Sequence, residues 1–364
     1  MAVILLVGAL ARIFTTLTYW PAFWFFDGGR YIQVSREWAP DTQRPFGYSA
    51  ALRLVDWTGS LATVTVIQHL AGLALAAGIY AFLRRRGVAT WLAVLGAAPI
   101  SLDAYQITVE HYVLAETLFT GLLLGGLALL LWRAQPSTTM VVAAGALFAA
   151  AGLTRTVGLP LVAIVLLYLL VAKFRWRQVL LFVLAWSIPL VGYVAWYHAE
   201  HGVYEIGQYE GRFLYGRVST FTDCDQLDLT PRQRDLCPVQ SLADRRAPSF
   251  YTWDSASPQA QYPLATDDEV FAGFASEAIR SQPLDYAGTV AGDLLGYFQL
   301  RGYPICPGDW ELPHTKQLHC HPKMSGNDGF DTAMASPGYR EPGALSALMS
   351  SYHRYVYLPG MLWG

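Results

Sequence analysis

Two short stretches carry charge and aromatic rings close together: Phe25-Phe26-Asp27-Gly28-Gly29-Arg30-Tyr31 and Arg44-Pro45-Phe46-Gly47-Tyr48. Both lie in the first loop after an apolar N-terminal segment, where a carboxylate and basic residues would face a lipid–water boundary. A carboxylate followed by two glycines lets a substrate approach the backbone. A nearby arginine offers a planar fork for phosphate. Chemistry on a lipid phosphate is therefore expected, with Asp27 and Arg44 as its first candidates. Plainer roles stand beside these. Asp27 could cap an interfacial helix, Arg30 could form a structural ion pair, and Arg44 could hold lipid head groups in general.

The elements that must position such a loop are apolar. Hydrophobic residues make up 54% of the 364 and charged residues 14%, against roughly 25% charged in ordinary soluble domains. The formal charge of −2 excludes a generally basic nucleic-acid binder. Most charges fall outside the long apolar runs, which predicts a polytopic membrane protein with a polar insert. The fold class expected is an all-α membrane bundle of seven spans, with the start of an eighth and a domain of mixed character outside the membrane.

Residues 2–20 are long enough to cross ~30 Å of hydrocarbon as a helix. With no basic n-region or small-residue cleavage site, they read as a retained span. Arg12 in their middle is expected to face the bundle interior or to snorkel. Residues 21–60 read as short interfacial helices, with Trp20, Trp24, Trp38 and Trp57 as belt residues. Residues 61–83 form the second span and end in Arg84-Arg85-Arg86, which places that end in the cytoplasm by the positive-inside rule. Residues 88–102 return outward to Asp103, Glu110 and His111, which read as solvated loop ends. Residues 112–132 form the fourth span, with Glu116 near its outer end and Arg133 inside. Residues 139–172 are too long for one span and divide at an outer turn near Arg155. Lys173, Arg175 and Arg177 then fall inside, and residues 179–197 form the seventh span. Asp27, Arg44, Glu116 and Arg155 all gather on the outer side. A charge such as Glu116 within a span is costly unless it is partnered, so a functional role is its default reading.

These residues carry a resemblance. Asp27-Gly28-Gly29-Arg30-Tyr31 followed by Arg44-Pro45-Phe46-Gly47-Tyr48 resembles the Asp-Glu-x-Arg-Tyr and Lys-Pro-Pro-x-Tyr motifs of the GT-C superfamily of membrane glycosyltransferases. Within it, the dolichyl-phosphate-mannose–protein mannosyltransferase and aminoarabinose transferase group looks most alike. Tyr112-Val113-Leu114-Ala115-Glu116 is similar to that group's acidic motif at the fourth span, and Gly152-Leu153-Thr154-Arg155 to its Gly-Leu-x-x-Arg turn. The likeness covers residues 1–200. It implies inverting transfer of a sugar from a polyprenyl-phosphate-linked donor to a glycan, lipid or protein acceptor in the cell envelope. Asp27 and Glu116 would then be catalytic, Asp27 as base and Glu116 orienting the acceptor or an arginine. Arg44, Arg155 and Tyr48 would bind the donor phosphate, and Arg30 and Tyr31 the substrate. Gly28 stands where a second acid is common, Gln43 where a Glu is frequent, and Arg44 in place of a Lys. Metal-independent chemistry with no cofactor is expected accordingly.

Residues 201–350 are expected to form the extracytoplasmic domain, with helical spacing over 267–280 and 284–298 on either side of Pro283. Asp267-Asp268-Glu269 reads as a helix start. Cys224, Cys237, Cys306 and Cys320 all lie here and read as two disulfides on an oxidising side. Their pairing is open, with the local choice joining 224 to 237 and 306 to 320. His314, His319, Cys320 and His321 match no closed zinc spacing. Residues 351–364 look like a further span that begins and stops short, as in a truncated chain. Two other classes of function compete: a transporter or flippase of lipid-linked glycans, which should line its midplane with polar groups, and a non-catalytic membrane scaffold.

Overall fold

The structure, a computed structural model, describes residues 1–23, 26–262 and 267–296, with 345, 348, 349, 351, 352 and 356. The belt residue Trp24, Cys306, Cys320, the histidines at 314, 319 and 321, and the terminal apolar run at 357–364 lie outside the described residues. The chain divides into two compact units, one of residues 1–204 with 301–364, the other of residues 205–300. Among the described residues both are built from helices, with no strand.

In the first unit the helices are α1 (Ala2–Thr18), α2 (Phe26–Glu37), α3 (Gly47–Arg53), α4 (Leu61–Arg85), α5 (Thr90–Leu102), α6 (Ala104–His111), α7 (Glu116–Leu131), α8 (Thr138–Thr154), α9 (Gly158–Val171) and α10 (Trp176–His201). Side-chain oxygens start several of them. Ser60 accepts from the Ala62 amide, Asp103 from Tyr105, and Ser137 from Met140, each satisfying a backbone donor left open at a helix start. Gly202, at φ 78°, ends α10 in the left-handed conformation.

Helices α4 and α10 are long and apolar enough to cross a membrane, and α5 with α6, bent by 43°, would make a third span if taken together. The other apolar helices, α1, α7, α8 and α9, are shorter. The seven apolar stretches read from the sequence therefore each contain helix. The expected division of residues 139–172 occurs where Arg155 turns extended, at φ −148°. The fourth stretch starts later than expected, at Glu116. Residues before it are held out of helix because Phe23 donates from its amide to the His111 carbonyl at 2.9 Å and pairs with Tyr112 as an isolated bridge.

Helices α7 to α10 pack around Phe148, Phe182, Val141, Leu130 and Leu169, all nearly fully buried. A second cluster joins Tyr31, Ile32, Tyr48 and Leu52 of the first loop to Val64, Val113 and Ala115. That cluster seats the loop helices on the bundle.

In the second unit, α11 (Glu210–Val218), α12 (Pro231–Arg234), α13 (Pro248–Trp253), α14 (Asp268–Ser281) and α15 (Pro283–Gly296) follow in order. Asp267 stands at the cap of α14, as the sequence reading placed it, and Pro283, read as the break between two helices, is itself the first residue of α15. Tyr215, Leu236, Tyr251, Phe271 and Phe274 form the core, with Leu236, Phe271 and Phe274 each contributing roughly 1.5–3 kcal/mol by burial. Cys224 and Cys237 are joined in a disulfide beside it. Asp268 accepts from the Gly211 and Arg212 amides, both at 2.8 Å, and so caps α11 as well.

Candidate functional site

Helix α2 presents Asp27, Arg30 and Tyr31, and the segment entering α3 presents Arg44 and Tyr48. Two glycines let these pieces approach the bundle. A Cβ at Gly28 would stand 2.9 Å from the Val113 carbonyl oxygen, and one at Gly47 would stand 2.5 Å from that of Leu153. The room at Gly28, which the sequence reading reserved for a substrate, is filled by the chain's own backbone. Gly28 thus lies beside the strand-like residues that lead to Glu116, and Gly47 beside the end of α8 that leads to Arg155.

Those contacts bring both ion pairs to one place. Arg44 Nη2 lies 2.9 Å from Asp27 Oδ2 and 3.1 Å from Oδ1, with both side chains a little over a quarter exposed. Arg155 Nη1 pairs with Glu116 Oε1. Tyr31 feels the charges of both pairs. Burial is the largest influence on its hydroxyl, pushing it up to about 12, while Arg44 and Arg155 pull it down and Asp27 and Glu116 push it up. Burial opposes the Arg44 cation, but Asp27, Tyr31 and Glu116 outweigh it and hold the guanidinium above its ordinary range. All four charged candidates therefore act on Tyr31, and Glu116 of the second pair also acts on Arg44 of the first.

The remaining candidates make contacts of their own. Arg30 donates from Nε to Asp41 at 2.8 Å and from Nη1 to Gln33 at 3.1 Å, the structural ion pair weighed for it above. Tyr31 and Tyr48 meet edge to face, with ring centroids 4.9 Å apart. Tyr48 is 3% exposed, and its hydroxyl donates to Gln68 Oε1 at 2.9 Å. Burial pushes that hydroxyl well above the usual tyrosine range. Tyr48 ties the loop to α4 through Gln68.

Sequence reasoning missed Asp41, Gln68 and the partner of Arg12. Asp41, 2% exposed, receives Arg30 and the backbone amides of Gln43 and Arg44. The Asp-x-x-Arg spacing after Pro40 was the available signal, because Asp side chains commonly bond amides two and three residues on. Gln68 donates from Nε2 to the carbonyls of Glu110 and Tyr112, at 2.8 and 2.7 Å. Glu110 and His111, read above as solvated, are fully buried instead. The reason is Arg12, which reaches across from α1 and bonds the Glu110 carboxylate at 2.7 and 2.8 Å.

No protein-family model, curated protein or solved structure matches the chain.

Proposed function

We propose that this protein is an integral-membrane glycosyltransferase that takes a sugar from a polyprenyl-phosphate-linked donor and passes it to an acceptor outside the cytoplasmic membrane. The observation that supports this most is the placement of Asp27, Arg44, Glu116 and Arg155 about Tyr31. Chain segments as far apart as residues 27 and 155 bring two carboxylates and two guanidiniums together, each carboxylate bound to one guanidinium. In the reaction, Asp27 accepts the proton of the acceptor hydroxyl. The acceptor oxygen bonds to the anomeric carbon as the bond from that carbon to the phosphate oxygen breaks, with inversion. Arg44 and Arg155 take the charge growing on the departing polyprenyl phosphate. Glu116 holds Arg155 until the phosphate enters. Seven crossings, a large outer domain and residence in the cell envelope belong to the same reading.

A second reading, transport of lipid-linked glycans, draws on one observation: Arg12, His69, Glu110 and His111 are all buried between apolar helices, and polar groups so placed often mark a transport path. Purified protein in liposomes with a polyprenyl-phosphate sugar separates the two. Transfer releases free polyprenyl phosphate and a glycosylated acceptor. Transport moves the intact donor between leaflets and leaves its glycosidic bond unbroken.

A further inference from the structure

The buried cluster between α1, α4 and α6 can be counted proton by proton. Arg12 uses all five of its N–H groups: Nε on Glu110 Oε2, Nη1 on the Gly8 and Ser101 carbonyls, and Nη2 on the Ile100 carbonyl and Glu110 Oε1. Glu110 receives four contacts, from Arg12 Nε and His69 Nδ1 on Oε2, and from Arg12 Nη2 and Gln106 Nε2 on Oε1. Four donors fill the lone-pair sites of an ionised carboxylate. Gly72, one turn beyond His69, leaves the room that carboxylate occupies, where a Cβ would collide with Oε1.

Beyond Glu110 the contacts form a line. His69 Nδ1 lies 2.9 Å from Glu110 Oε2, His69 Nε2 lies 3.1 Å from His111 Nδ1, and His111 Nε2 lies 2.9 Å from the Tyr19 carbonyl oxygen. A carbonyl only accepts, so His111 Nε2 carries a proton. Glu110 is bonded twice by the Arg12 guanidinium, a charge-assisted pairing that favours the ionised carboxylate, which has no proton to give, so His69 Nδ1 carries one. The gap between the two rings needs a third. Two neutral imidazoles carry two protons between them. Without a third, one of the three contacts would set lone pair against lone pair.

We propose that His69 and His111 together form a buried proton-binding site, in which one proton beyond those of two neutral rings is shared across the 3.1 Å ring-to-ring hydrogen bond. The Arg12–Glu110 pair cancels its own charge, so the bound proton leaves the cluster at +1. The other ionisable groups on the surrounding elements, among the described residues, are Tyr80, Arg84 and Arg85 toward the far end of α4, Asp103 and Tyr105 where α6 begins, Tyr19, Tyr112 and Tyr352 around it, and Glu116 at the start of α7, which is paired with Arg155. The Tyr352 hydroxyl bonds the Leu102 carbonyl. Helix α5 contributes carbonyl oxygens and no ionisable side chain. This site goes beyond the transferase reading and stands without it.

The test is nitrogen NMR of the full chain, labelled with ¹⁵N-histidine, in lipid nanodiscs at pH ~8, where an ordinary histidine is only about 3% protonated. The expected spectrum keeps one imidazolium, with a nitrogen–nitrogen coupling across a ring-to-ring hydrogen bond. Both signals disappear in His69→Gln and in His111→Gln. If neither variant folds, the wild-type spectrum decides alone, because the coupling ties the imidazolium to this pair. Neutral rings throughout at that pH, with or without the coupling, would overturn the proposal. So would an imidazolium that persists unchanged in both variants.

Discussion

The Tyr48 hydroxyl donates to Gln68 Oε1 across 2.9 Å, and through that contact the first loop is tied to α4. Gln68 in turn holds the carbonyls of Glu110 and Tyr112, so one amide side chain sets loop, α4 and the approach to Glu116 in register. Gln68→Leu fits a similar volume but leaves the Tyr48 hydroxyl and two buried carbonyls without this partner. Each buried polar group so orphaned costs about 1–3 kcal/mol. Thermal unfolding in detergent is expected to show a clear loss, and Tyr48→Phe in the Gln68→Leu background to add less than it does alone, because the two share one contact.

Gly47 predicts a sharper effect. Alanine there would place its Cβ 2.5 Å from the Leu153 carbonyl oxygen, a backbone atom that cannot swing aside. Gly47→Ala should lose about 1–3 kcal/mol and shift Arg44 from its place. Gly78→Ala is the control, because beyond the local backbone of α4 itself nothing lies within 4 Å of a Cβ at that position; it should be neutral or slightly stabilising. Unfolding temperatures of the two variants measured side by side check this.

The loop chemistry was legible in the sequence because its residue types are rare in such an apolar chain, and Asp27 and Arg44 do lie together. The apolar helices were legible from composition, and the break at Arg155 from length. Glu110 and His111 were not legible. Their solvated reading followed from their place beside Asp103 at the end of an apolar run, whereas their burial depends on Arg12, 98 residues away. A single sequence carries no signal for that pairing. Asp41 was missed for a different reason, since a loop acid next to Arg44 invites attention to the arginine first. In the second unit the sequence left the cysteine pairing open, and the disulfide found is the local choice, joining Cys224 to Cys237, 13 residues apart.

That disulfide predicts a measurable contribution. Closing a loop of this length restricts the unfolded chain by about 3 kcal/mol in the entropic model. Cys224→Ser with Cys237→Ser should lower the stability of residues 205–300 by that order and raise their susceptibility to protease. The first unit's resistance, followed through its own fragments, should hardly change.

Tyr31 predicts an alkaline limit. Its hydroxyl is raised to about 12, above an unfolded value of ~10. The folded state therefore keeps this proton at a pH where the unfolded chain has lost it. The resulting stability is full below ~10 and is lost as pH rises from there through about 12. Tyr31→Phe should flatten that part of the stability–pH curve, which chemical denaturation at a series of alkaline pH values would show.

Glu116 and Arg155 should behave as a unit. If Arg155 serves the departing phosphate and Glu116 holds it in place, Arg155→Gln should lower transfer by on the order of 100-fold and Glu116→Gln by less. The double variant should be no worse than Arg155→Gln alone. Rates with a synthetic polyprenyl-phosphate sugar give the comparison.

The most direct measurement uses cells lacking the gene, complemented with wild type or with Asp27→Asn at matched protein levels. Polyprenyl-phosphate sugars and surface glycans are then followed by mass spectrometry. The account predicts that Asp27→Asn accumulates the lipid-linked donor and loses one sugar from a surface glycan, lipid or protein, and that the missing sugar names the substrate. Full rescue by Asp27→Asn, with donor and glycans at wild-type levels, would contradict it.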